Sequence, residues 1–375
     1  MTSIDEYARG FAEDPGYLDF ASFGPLSRAV LEEQNALGEI HSRARYGAAA
    51  VFDEQDIRVR EAVRALTGFA TDRVVFQGNA STGLLHTFFG LTGQVLYSAR
   101  EYPSIPVAAQ RAVQAQHTLD VITMQPPQGV VTPETVRDNL TPATTAVAVS
   151  LVDYRTGYLA DLEAIRDVIG DRMLIVDAIQ GFGVVEAPYE VADVVVSGGQ
   201  KWMRAGWGTG FLALSERAAT DLVPLFSGVS GTIVPLGASY EEVPPPLQGA
   251  AAFQVTRPDP IAQARFSTAL EAVAAVGVGA IRESIAEKVS RLIDLADEFA
   301  VEVVSSRDET ERAGIVVLEP EAGKLTALTA ELINHGITAT VRDGAVRLSA
   351  HVSTDEATFE ALRGALTSYG SNLSY

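Results

Sequence analysis

Lys201 stands among glycines and tryptophans, in Ser197-Gly-Gly-Gln-Lys201-Trp-Met-Arg-Ala-Gly-Trp-Gly-Thr-Gly210, directly after the β-branched run Val194–Val196. It is one of three lysines in the chain, with Lys288 and Lys324. A lysine held just past a hydrophobic strand loses solvation. That favours the neutral amine, the form that condenses with a carbonyl to a Schiff base. Upstream, the apolar run Met173-Leu-Ile-Val ends in Asp177, with Gln180 close behind. At the carboxyl end of a parallel strand such an acid lies in a ligand crevice. An acid there, 24 residues before the lysine, suits pyridoxal phosphate. The lysine holds the aldehyde, and the carboxylate keeps the pyridine nitrogen protonated so that the ring accepts electrons.

The surrounding sequence supplies elements to position this pair. Arg73-Val-Val-Phe76 predicts a strand, Gly78 a turn, and Ser81 and Thr82 the cap of a helix whose free N–H groups favour an anion. A strand through Val95 leads to Glu101-Tyr102-Pro103, and another, Thr145–Ser150, leads to Asp153-Tyr154-Arg155-Thr156-Gly157. Helical spacing predicts two helices over 27–67, broken by a loop at Tyr46–Phe52. From Ile281 the pattern resets to mixed helices and strands, with Arg347 in the apolar strand Ala345–Ser349. An arginine so placed is rarely left unpaired. The expected architecture is α/β: an arm over 1–25, a large domain with a mostly parallel sheet over 26–260, and a small α+β domain over 261–375. The Gly- and Pro-rich stretch Pro224–Gly249 is expected as a loop at a dimer interface.

Composition narrows the function. A net charge of −20 argues against nucleic acid or an anionic membrane as partner. There is no apolar run of roughly 18 residues, and the first residues are acidic, so neither a membrane span nor secretion is expected and the location is read as cytoplasmic. The chain has no cysteine, which excludes disulfides, thiolate metal sites and a cysteine nucleophile. Five scattered histidines suggest no metal site.

These motifs, over nearly the whole chain, resemble the class V aminotransferases, in the fold type I family of pyridoxal phosphate enzymes. The resemblance implies that Ser81 and Thr82 bind the cofactor phosphate, with Ser197 and Gln200 nearby. Tyr102 would stack on the pyridine ring, and Gln180 would hydrogen-bond its 3-oxygen. It implies a homodimer with shared active sites, in which Thr256 or Arg257 reaches the partner's phosphate site. Arg347, in the "RLSAHVST" segment, would grip the α-carboxylate of an amino acid substrate, and Ala21 and Ser22 would lie near it. Val152–Gly157 is similar to a kynureninase segment, in which Asp153 or Tyr154 faces the site or Arg155 braces a loop.

Several positions depart from the family pattern. Gly83 replaces an acidic residue, His86 an asparagine and Gln200 a histidine, while Ser353 and Thr354 replace a Tyr-Asn pair. The lack of cysteine rules out a persulfide-forming desulfurase. Family frequency makes transamination the first expectation, with a cysteine-independent β-lyase (C–S lyase) or a kynureninase- or epimerase-like reaction as alternatives. In each, Lys201 serves as general base once the substrate amine has displaced it.

Overall fold

A computed structural model describes residues 2–127, 129–233 and 243–372. Its helices are α1 (Ile4–Arg9), α2 (Arg28–Arg43), α3 (Ala48–Thr67), α4 (Ala80–Gly90), α5 (Ser104–Gln116) and α6 (Pro133–Asn139). Next come α7 (Leu162–Ile169), α8 (Glu216–Asp221), α9 (Pro260–Val276), α10 (Val278–Glu298), α11 (Leu325–Asn334) and α12 (Glu356–Asn372).

The larger sheet contains β1 (Val74–Phe76), β2 (Gly93–Ser98), β3 (Leu119–Met124), β4 (Thr144–Ser150), β5 (Met173–Asp177), β6 (Val194–Gly198) and β7 (Gly210–Leu214). The spatial order is β1-β7-β6-β5-β4-β2-β3; β7 runs antiparallel to β1 and β6, and the other pairs are parallel. A sheet covered on both faces needs near-continuous apolar strands, which is how Val194–Val196 and Leu174–Val176 read. Alternate residues serve opposite faces. Val75, Tyr97, Ile175 and Val196 pack with Leu84 and Phe88 of α4 and Ile105 of α5. Val74, Val176, Val195 and Phe211 pack with Val59 and Val63 of α3 and Phe266 and Leu270 of α9.

The smaller sheet, of β8 (Glu302–Val303), β9 (Ile315–Glu319), β10 (Thr340–Arg342) and β11 (Ala345–Ser349), is antiparallel in the order β10-β11-β9-β8. Helix α9 packs on α2 and α3; the chain then bends by 85° at Gly277 into α10, which packs on β8, β9 and α12. The N-terminal arm joins the two sheets. Tyr17 and Asp19 bridge to Thr338 and Ser349, and the Gly24 N–H donates to the Gln200 carbonyl at 2.8 Å.

The loop expected at Tyr46–Phe52 is shorter than its sequence suggests. Gly47, at φ 89°, makes the break, and α3 starts at once with three alanines, which are the best helix formers. Of the Pro224–Gly249 stretch, residues 234–242 lie outside the described residues; the remainder holds a 3₁₀ turn at Val229–Gly231 and a bridge between Thr232 and Pro246. Among the described residues no single helix is long and apolar enough to cross a membrane.

Candidate active site

The tips of β4, β5 and β6 align, because Asp177 pairs in register with Ser150 on one side and Val196 on the other. Asp177 is 2% exposed, and its Oδ1 accepts the Ile179 N–H at 3.1 Å. Burial raises its pKa to about 6, while that hydrogen bond and the charge of Lys201 act the other way. Lys201 sits in the turn between β6 and β7 and is 8% exposed. Burial lowers its pKa to about 8; Asp177 opposes the shift, and Arg347 and Arg342 add to it. Both groups are thus drawn toward neutrality, and desolvation outweighs their mutual attraction.

The lysine loop is held from several sides. The Lys201 carbonyl accepts the Arg204 N–H at 3.0 Å. Arg204 is itself 1% exposed and binds the Pro25 carbonyl, Ser353 and the carboxylate of Glu13. Gly24 passes so near that a Cβ there would stand 2.2 Å from the Lys201 carbonyl oxygen, so the arm needs glycine at the crossing.

On one side of Lys201, the N-termini of α4 and α5 meet through a 2.7 Å hydrogen bond between the hydroxyls of Ser81 and Ser104. Two converging helix N-termini favour an anion. The cap of α4 is Asn79 rather than Ser81 or Thr82. Its Oδ1 accepts from the Thr82 N–H at 2.9 Å and the Thr82 hydroxyl at 3.1 Å. Ser81 and Thr82 thus fall inside the first turn. Gly83 has a steric cause, since a Cβ there would lie 2.8 Å from Cγ1 of Val196. His86 is buried edge-on between Phe226 and Phe253, and burial lowers its pKa to about 4.

Ser197 does not join this group. Asp177 pairs with Val196, so the two face one way, and Ser197, the next residue of β6, faces the other. Its hydroxyl is fully buried there without a hydrogen-bond partner among the described residues. Gln200 does turn back over the strand end, its Oε1 lying 2.4 Å from where a Cβ on Gly198 would be.

Tyr102 lies with its ring centroid 5.4 Å from Lys201 Nζ and edge-on to Tyr154 at 5.2 Å. It is 38% exposed, so part of the ring remains open to stacking. Arg347 donates to the Tyr154 carbonyl at 3.0 Å, Ser22 Oγ at 2.9 Å and Thr340 Oγ1 at 3.2 Å, and lies 3.8 Å from Asp19. Its Nε–H is buried and has no acceptor among the described residues. Ser22 is therefore hydrogen-bonded to Arg347. Asp153 turns back to cap its own loop, accepting from the N–H groups of Arg155 and Thr156. Gln180 is engaged at both ends, donating to the Ala21 carbonyl at 3.0 Å and accepting from Trp202 Nε1 at 2.8 Å. Thr256 and Arg257 are exposed, and Arg257 pairs with Asp53.

Sequence reasoning assigned no role to Glu101, which is buried at the end of the β2 loop and accepts the Ser150 N–H at 3.2 Å and hydroxyl at 2.5 Å. Its signal was the same as that of Asp177, an acid just past an apolar strand. The Arg204–Glu13 pair joins residues 191 positions apart and has no local signature.

These residues fit pyridoxal phosphate. A buried carboxylate and a desolvated lysine share one crevice, an aromatic face lies beside the lysine, and two helix N-termini converge at its rim. The family model described as aminotransferase class-V matches residues 17–359. The chain belongs to the class V aminotransferases. Among curated members of the wider group it is 23% identical over 337 residues to the uncharacterized aminotransferase YcbU of Bacillus subtilis, covering 87% of this chain and 86% of that one. Solved structures of similar fold include a cysteine desulfurase from Thermococcus onnurineus NA1, with TM-score 0.83 and 20% identity over 93% of each chain. The cystine C–S lyase C-DES superposes with TM-score 0.84 and 19% identity over 94% of this chain and 97% of its own. A mutant of the same lyase, with glycine covalently linked to its PLP cofactor, gives TM-score 0.85 and 18% identity over 94% of this chain and 96% of its own. The architecture of this class V chain is accordingly fold type I: a large α/β/α unit with a mostly parallel sheet, beside a smaller α+β unit.

Proposed function

We propose that this class V chain is a pyridoxal phosphate-dependent aminotransferase of α-amino acids. The observation that carries the reading is the pairing of Lys201 with Asp177 in one buried crevice at adjoining strand ends. When bound, pyridoxal phosphate supplies an aldehyde that captures the amine and a ring that takes up the electrons left at Cα. Asp177 holds the proton on the ring nitrogen. Lys201, poised near neutrality by burial, takes the α-proton at Nζ. Arg347 receives the α-carboxylate, for which its buried Nε–H lacks an acceptor. Tyr102 covers the ring and excludes water. The α4 and α5 N-termini, with Ser81 and Thr82, take the phosphate, and Gln200 lines its edge. Gln180 reaches the 3-oxygen with the amide hydrogen left after its bond to Ala21.

A homodimer belongs to the proposal, with exposed Thr256 serving the partner's phosphate site. Leu225, Phe226, Val229 and Ile233 are exposed in one segment, an apolar surface of the kind interfaces cover. The name of the YcbU relative supports amino-group transfer, and the likeness to a cystine C–S lyase supports β-elimination as the second reading. Product stoichiometry separates the two. With an amino acid and no keto acid acceptor, a transaminase releases one keto acid per site, without ammonia, and stops. A β-lyase releases ammonia and keto acid continuously, and that result would overturn the transfer reading.

A further inference from the structure

Arg347 forms part of the wall of a cavity of about 310 Å³, to which nothing above gives an occupant beyond the α-carboxylate on Arg347. Arg100, Arg155, Arg342 and Arg347 line it, against two carboxylates, Glu319 and Asp343, and Val304 and Val317 add apolar wall. In a chain of net charge −20, a concavity with excess arginine runs against the overall field and concentrates anions locally. Among the described residues, no carboxylate lies within ion-pairing distance of Arg100 or Arg342, and Arg155 meets Asp343 only at 3.5 Å in a solvent-exposed pair.

Tyr154, in the cavity wall, leads through Tyr102 toward the crevice of Lys201. Tyr102 lies 5.4 Å from Lys201 Nζ, and Tyr154 lies 5.2 Å beyond it, centroid to centroid. The guanidinium carbons of Arg155 and Arg342 each stand 5.7 Å from the Tyr154 ring centroid. An amino acid with its carboxylate on Arg347 and its amine toward Lys201 can lay its side chain along Tyr154, toward these two arginines.

We propose that the cavity receives a second anionic group, making the substrate class α-amino acids whose side chain ends in an oxyanion, a carboxylate or a phosphate. Planar guanidinium forks match either group in two-point contact. This rests on the reading of Arg347 as the residue that receives the α-carboxylate.

Calorimetry on the purified protein tests it without turnover. Glutarate and 3-phosphoglycerate are titrated beside butyrate and glycerate, their singly charged counterparts. Each probe with a second anionic group is expected to bind at least tenfold tighter than its counterpart. The tighter of the two identifies carboxylate or phosphate as the favoured end. In an Arg155→Gln/Arg342→Gln double variant, with Arg342 exposed, Arg155 half-buried and folding checked by circular dichroism, that advantage disappears; Arg342→Lys retains part of it. Equal binding of the probes with and without the second anionic group, or an advantage that survives the double variant, overturns the proposal. Borohydride trapping of pyridoxal phosphate on Lys201 is scored separately. A lysine adduct without the binding advantage defeats the cavity proposal alone, and the advantage without an adduct defeats only the cofactor reading.

Discussion

Trp202 donates its indole N–H to Gln180 Oε1 at 2.8 Å, while Gln180 Nε2 donates to the Ala21 carbonyl at 3.0 Å. One amide thus joins the lysine loop, the turn after Asp177 and the N-terminal arm. In Gln180→Leu a buried indole N–H and a buried carbonyl lose their partners, at about 1–3 kcal/mol each. The variant should unfold at clearly lower denaturant concentration and bind pyridoxal phosphate more weakly. An unchanged unfolding midpoint would remove this amide from the account of how the loop is held.

Lys201 titrates near pH 8 because burial disfavours its ammonium form, and the Asp177 carboxylate resists that shift. The rate at which pyridoxal phosphate adds to the apo chain, followed by absorbance, should rise with pH through about 8 and then level off. Asp177→Asn removes the charge that favoured the ammonium, so the midpoint should move to lower pH while amino acid turnover is lost. A midpoint near the ordinary lysine value of 10.5 in both proteins would contradict a desolvated Lys201.

Burial lifts Glu101 from 4.5 to about 7, against two hydrogen bonds from Ser150. The folded chain therefore holds this proton more tightly than the unfolded chain. Below pH 4.5 the group is neutral in both states; between about 4.5 and 7 it becomes progressively destabilising, and above that its cost is constant. Glu101→Gln keeps one of the two acceptor oxygens, turns the other into an amide donor that Ser150 Oγ can accept, and removes the charge. At pH 8 it should exceed the parent in stability by roughly 1–3 kcal/mol, taking about 1.4 kcal/mol per pKa unit as the upper scale. At pH 4 the difference should vanish. Urea unfolding at the two pH values measures it, and an equal effect at both would mean that the charge is not responsible.

The larger sheet was legible in the sequence because its strands are continuous apolar runs ending in polar residues, as at Asp177 and Ser150. That Arg347 would be held by polar partners was legible for the related reason that a charge stood in an apolar strand. What escaped depends on direction and distance. Ser197 lies beside the correct strand end, yet strand alternation turns it to the face opposite Asp177. Asn79 took the cap of α4 because its extended backbone at φ −176° aims the side chain back at the Thr82 N–H, and the later hydroxyls fall within the first turn. The assignment of Gln180 overlooked Trp202 and Ala21, which claim its amide from 22 and 159 residues away.

The exposed residues Val229 and Ile233 lie 59% and 47% open to solvent in the single chain. If they are covered in a homodimer, Val229→Glu with Ile233→Glu should shift the sedimenting species from dimer to monomer and weaken cofactor retention. A parent protein that sediments as a monomer would exclude the shared-site arrangement.

The most direct measurement is borohydride reduction of the protein loaded with pyridoxal phosphate, followed by peptide mass analysis. With only Lys201, Lys288 and Lys324 available, the assignment is unambiguous. The account predicts one phosphopyridoxyl group per chain, carried by the peptide containing Lys201 and absent from Lys201→Ala. A label confined to Lys288 or Lys324, or no label at all, would contradict it.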